Sequence, residues 1–138
     1  MTRVLLDTSG YSAFRRAHPG VVAAVEEAEE IVVSPVVLGE LYAGFRRGSR
    51  VGENEANLRR FLATPRVEVL PLCEDTAQRY ALILNDLRRC GAIIPTNDIW
   101  IAATAMEHGL HLLTTDSHYE RVRQIAVSRF EPAAPSSG

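Results

Sequence analysis

Arg3-Val4-Leu5-Leu6-Asp7-Thr8-Ser9-Gly10 sets a short apolar run, an acid and a turn in that order. The run is too brief for a helical core and lacks polar alternation, so it reads as a buried strand. Thr8, Ser9 and Gly10 then open a helix that reaches about Arg16. A buried strand passing directly into a helix is the unit of a layered α/β domain.

The same grammar recurs along the chain. His18-Pro19-Gly20 reads as a break, followed by helical spacing over residues 21–30 and a second strand at Ile31-Val32-Val33. Ser34-Pro35 places an N-cap serine before a proline at the first helical position, predicting a helix to about Arg47, with Gly48 to end it. Residues 53–63 predict a helix, 67–70 a strand, and 75–90 a long helix stopped by Gly91. Thr96-Asn97-Asp98 is expected to cap a helix through His108, stopped by Gly109. His111-Leu112-Leu113 and Ile125-Ala126-Val127 read as the last strands, with a helical turn between them. Strands alternating with helices predict an α/β domain around a mainly parallel sheet. Residues 131–138 are low-complexity and are expected to be a disordered tail.

With 138 residues, 46% of them hydrophobic, the chain fits one domain with a full core. No apolar stretch approaches the ~20 residues of a membrane span, and the chain meets Asp7 too early for a signal peptide, so a cytoplasmic location is expected. Cys73 and Cys90 lack zinc-site spacing and are expected to be buried as small apolar residues in a reducing compartment. The net charge of -2 gives no overall basic signature of a nucleic-acid binder. All 15 Lys+Arg positions are arginine. Arginine suits phosphate contacts, although genomic base composition gives the same bias. The missing lysine excludes P-loop ATPases, Schiff-base enzymes and lysine-dependent phosphoreceiver domains.

In open parallel sheets, ligands bind beyond the carboxyl ends of the strands. Asp7 follows one apolar strand and Asp116 another, so strand direction alone places both acids on one edge. Asp98 begins an apolar helix, where a carboxylate either caps the helix or binds a cation. Glu40 has Val36, Val37, Ala43 and Gly44 at helical spacing, an apolar face expected to pack inward. A buried acid there needs compensation, from an arginine elsewhere or from a cation. Converging carboxylates repel one another, and oxygen ligands suit Mg²⁺ or Mn²⁺ better than zinc. His108 and His111 read as capping or surface residues, and His118, two positions after Asp116, lies within reach of the site.

Four segments together resemble the PIN-domain family: Asp7-Thr8-Ser9, residues 34–41 around Glu40, residues 97–105 beginning Asn97-Asp98, and Leu113-Thr114-Thr115-Asp116. The ordered set covers residues 1 to about 130, and length and motif wording point to the VapC toxin branch. The resemblance implies a three-layer α/β/α sandwich with a mainly parallel central sheet. It implies that Asp7, Glu40, Asp98 and Asp116 bind Mg²⁺ or Mn²⁺ and carry catalysis, with Thr8 and Thr114 orienting ligands or water. It implies endonucleolytic RNA cleavage leaving 5′-phosphate and 3′-hydroxyl ends, a VapB-like antitoxin that occludes the cleft, and a homodimer. Relatives often carry an acid and then phenylalanine where this chain has His118 and Tyr119, which puts a second metal in doubt. Arg15, Arg16, Arg46 and Arg47 are the expected RNA-gripping residues; the other reading is solvated helix ends that suit the macrodipole. A PIN nuclease of RNA processing and a silent PIN-like binding domain remain alternatives.

Overall fold

The computed structural model describes residues 2–132. Its strands are β1 (Arg3–Leu6), β2 (Glu30–Val33), β3 (Val67–Val69), β4 (His111–Thr114) and β5 (Ala126–Arg129). The helices are α1 (Thr8–Arg15), α2 (Pro19–Glu27), α3 (Pro35–Arg47), α4 (Val51–Leu62), α5 (Glu74–Arg89) and α6 (Thr96–His108). A 3₁₀ turn, Ser117–Arg121, joins β4 to β5. The sheet order is β3-β2-β1-β4-β5, and every pair is parallel.

Alternation along the strands sends side chains to two cores. Leu5 and Leu112 join Val37, Leu41, Ile83, Leu87 and Ile99 of α3, α5 and α6. Val4, Leu6, Ile31 and Leu113 join Ala13, Val21 and Val25 of α1 and α2. The helices therefore cover both faces of the sheet, giving the expected three layers. Among the described residues, no helix is long and apolar enough to cross a membrane.

Local chemistry explains most boundaries. Ser34 accepts from the Val36 amide at 3.1 Å, with Pro35 in the first turn. Gly109 ends α6 at φ 64°, a left-handed conformation suited to glycine. The break expected at His18-Pro19-Gly20 falls between Arg16 and His18, and Pro19-Gly20 already belong to the next helix. His18 Nδ1 accepts from the Gly20 and Val21 amides, and Pro19 is the first residue of α2. Cys73 and Cys90 are exposed rather than buried, because they flank α5 as its N-cap and C-cap. His111 begins β4, is partly buried, and its Nε2 hydrogen-bonds the Ser128 hydroxyl of β5 at 2.6 Å rather than capping a helix. Within the expected tail, Glu131 is tied down by its carbonyl contact with His18 Nε2 at 2.8 Å; the expectation for residues 133–138 lies outside the described residues.

Candidate metal centre at the strand edge

The chain leaves β1 toward β2 on one side and later inserts β4 on the other. That reversal opens a crevice at the carboxyl ends of β1 and β4. Asp7 and Asp116 sit there, just after the two strands.

Asp7 is only 4% exposed. It is the N-cap of α1, accepting from the Gly10 amide at 2.6 Å. Ser9 Oγ donates to it at 2.9 Å and Thr114 Oγ1 at 2.7 Å. Close packing of α1 on β4 requires glycine next to this cap, since a Cβ at Gly10 would lie 2.4 Å from the Leu113 carbonyl oxygen. Burial, reinforced by the nearby Asp116 charge, outweighs the three hydrogen bonds and raises the Asp7 pKa to about 6.

Asp98 does not cap α6. The helix begins at Thr96, after Pro95, and Asp98 lies in its first turn. Its carboxylate accepts from the Tyr119 hydroxyl at 3.1 Å and meets His118 Nδ1 at 3.0 Å. Burial raises its pKa as well, against the hydrogen bonds from His118 and Tyr119. Asp116 caps the 3₁₀ turn by accepting from the His118 amide at 2.9 Å, and its own amide donates to Thr114 Oγ1 at 2.9 Å. Burial first, then the surrounding carboxylates, push the Tyr119 hydroxyl well above its ordinary range, so it remains a donor.

Glu40 is half-buried, not fully buried as its helical neighbours predicted. The inward face of α3 centres on Val37 and Leu41, leaving Glu40 at the margin. Thr8 Oγ1 donates to it at 2.6 Å and Asn97 Nδ2 at 3.3 Å. Those two bonds tie α3 to the Asp7 turn and to the first turn of α6. Asp98 and Asp116 thus stand together with His118, while Asp7 is linked to Asp116 through Thr114, and Glu40 reaches the site only through Thr8 and Asn97. Thr8 and Thr114 enter it as donors to Glu40 and Asp7. Ser9, Asn97 and the Tyr119 hydroxyl are further members that residue-by-residue reading missed. All three lie in or next to the motifs, but their partners are set by tertiary contact.

The cluster suits a hard divalent cation. Its donors are carboxylate oxygens with one imidazole, and among the described residues no arginine pairs with any of the four acids. Donor atoms of Asp98, Asp116 and His118 all lie within 4.8 Å of one another. A second mixed group, Cys73, Asp75 and Glu107, has a structural use. Glu107 accepts from Thr76 and Cys73, clamping the start of α5 to the end of α6.

Arg16 lines a small cavity with Ser9 and Thr115, which are close in sequence to Asp7 and Asp116. Arg15 and Arg16 line an open groove of ≈ 420 Å³ with Tyr11, Ser12, Arg50 and Asn54. Arg47 is exposed at the end of α3, whereas Arg46 pairs with Glu55 at 3.2 Å and stacks over Tyr42.

Fold and geometry together define an α/β domain with a candidate carboxylate-rich site at its topological switch point. A PIN-domain family profile matches residues 4–125. Ribonuclease VapC4 of Mycobacterium tuberculosis is 34% identical over 91% of this chain and 95% of that protein. Ribonuclease VapC1 of Rickettsia felis is 30% identical over 90% and 93% respectively. The chain therefore belongs to the PIN-domain family, in its VapC branch. The fold is shared with the R. felis VapBC2 structure bound to a promoter DNA fragment, at TM-score 0.81 and 23% identity, covering 93% of this chain and 98% of that one.

Proposed function

We propose that the protein is a Mg²⁺- or Mn²⁺-dependent endoribonuclease, the toxin of a VapBC-type pair. The observation that carries this reading is the grouping of Asp98, Asp116 and His118 at the switch point of the sheet, with Asp7 and Glu40 tied to it by hydrogen bonds and no guanidinium partner on any of the four acids among the described residues. Asp7, Asp98 and Asp116 would hold the ion directly, with Glu40 as a further ligand or as the base. When bound, a divalent cation there supplies a lowered pKa for the attacking water and positive charge opposite the phosphoryl oxygens.

The chain's own groups supply the rest. Thr8 and Asn97 hold both Glu40 oxygens, fixing the carboxylate where it can accept a proton from water. Thr114, Ser9 and the Gly10 amide fix Asp7 in one rotamer. Arg15 and Arg16 grip RNA phosphates on the rim, with Arg47 and Arg46 more distant contributors. In the proposed reaction water attacks phosphorus and gives its proton to Glu40, the bond from phosphorus to the 3′-oxygen breaks, the 3′-oxygen takes a proton from solvent, and the products carry 5′-phosphate and 3′-hydroxyl ends.

The proposed partner is a VapB-like antitoxin occluding the acidic crevice, with the toxin as a homodimer. The similarity to VapBC complexes supports that reading. The test is cleavage of a generic single-stranded RNA by antitoxin-free protein. Cleavage that requires Mg²⁺ or Mn²⁺ and vanishes in Asp98→Asn supports the proposal. Cleavage that survives both chelation and Asp98→Asn overturns it.

A further inference from the structure

We propose that His118 supplies a nitrogen ligand, through Nδ1, to the cation held by Asp98 and Asp116, and thereby tilts the site from Mg²⁺ toward Mn²⁺. This inference rests on the metal-binding reading above and extends it to a residue outside the acidic quartet.

The geometry is specific. His118 Nδ1 lies 3.0 Å from Asp98 Oδ2 and 3.2 Å from Asp116 Oδ1. Ligands at ~2.1 Å from an octahedral cation sit roughly 3 Å apart on adjacent corners. The imidazole nitrogen therefore stands at adjacent-ligand spacing from each of the two carboxylate oxygens, and all three donor atoms lie within 4.8 Å of one another.

Local structure builds this placement. The Asp116 carboxylate caps the His118 amide, which bends the chain into the 3₁₀ turn and returns the imidazole toward the crevice. The next residue, Tyr119, is fully buried and engages Asp98 Oδ1. Asp98 Oδ2 is thereby left on the His118 side. The imidazole is 38% exposed, so it faces a crevice that an ion can enter from solvent.

Ligand chemistry gives the consequence. Mg²⁺ holds its water and prefers oxygen donors, while later divalent ions accept imidazole more readily. Replacing an oxygen corner with nitrogen, and a negative ligand with a neutral one, penalises Mg²⁺ more than Mn²⁺.

The test uses the full chain, freed of antitoxin and loaded with Mn²⁺. Pulsed electron paramagnetic resonance should show ¹⁴N modulation from a directly bound nitrogen in the wild type. The modulation should disappear in His118→Gln. Displacement of Mn²⁺ by Mg²⁺ should become easier in His118→Asp by at least about tenfold. Bound Mn²⁺ without ¹⁴N modulation, or unchanged Mn²⁺/Mg²⁺ selectivity in His118→Asp, overturns this inference and leaves the acidic site standing. Failure of the wild type to bind Mn²⁺ at all overturns the acidic site as well. The wild-type spectrum decides the matter even if a variant fails to fold.

Discussion

Asp7 and Asp86 are both nearly inaccessible, 4% and 5% exposed, but Asp7 lies inside the fold while Asp86 sits at the surface under the exposed Arg89 and Arg123. Asp86, on α5, receives two N–H donors from Arg123 and one from Gln124, with Arg89 at 3.5 Å. Those hydrogen bonds, Arg123 first, hold its carboxyl below the ordinary range. Asp7 receives only hydroxyls and an amide, and faces Asp116. Asp86 closes the seam between α5 and the segment leading to β5. Asp7 is left with a charge that the protein does not neutralise. The difference separates an acid used to hold the fold from one that no guanidinium neutralises.

Asparagine substitutions at the two kinds of site should break apart most sharply in activity. Asp98→Asn and Asp116→Asn should reduce RNA cleavage by at least about a hundredfold, whereas Asp86→Asn should leave the rate per folded molecule close to wild type. Initial rates on a labelled RNA, corrected for folded fraction, measure both.

Stability should move the other way. The Asp7 pKa is raised from 3.8 to about 6, so folding favours its protonated form. Metal-free stability from this group is fully present below the ordinary carboxylate range and is lost as pH climbs past about 6, a change of about 3 kcal/mol. Asp86 has the opposite sign: its contribution is present above the ordinary carboxylate range and lost as pH falls through it. Asp7→Asn should therefore stabilise the metal-free protein at pH 8 by about 2–3 kcal/mol, and Asp86→Asn should lower the melting temperature. Urea unfolding from about pH 2 to about pH 8 resolves the two slopes.

Smaller effects sharpen the contrast. Gly10→Ala drives a methyl into the Leu113 carbonyl and should cost about 1–3 kcal/mol in denaturant melts. Arg15→Ala with Arg16→Ala should weaken RNA binding and lower the slope of log affinity against log salt by about 1–2, read in a fluorescence titration.

Much of this contrast was legible in the residues. Apolar strands ending at Asp7 and before Asp116 placed those acids on one edge without any tertiary information. Ser34-Pro35 fixed the start of α3 and so the register of Glu40. The degree of burial of Glu40 was not legible, because helical periodicity gives a face but not how far a neighbouring element covers it. The His118 contact with Asp98 depends on the path of one 3₁₀ turn, and the Asp86–Arg123 pair joins residues far apart in sequence. Cys73 and Cys90 were misread for a related reason: composition favours burial of cysteine, while position at the two ends of α5 exposes it.

Divalent-cation binding by the acids at the switch point, none of which has a guanidinium partner among the described residues, underlies the proposed activity. Calorimetric titration of Mn²⁺ into antitoxin-free protein at pH 8 addresses it directly. Saturable binding in the wild type and in Asp86→Asn, lost in Asp7→Asn and Asp98→Asn, is the predicted result. Equal binding in all four proteins, or none in the wild type, would contradict it.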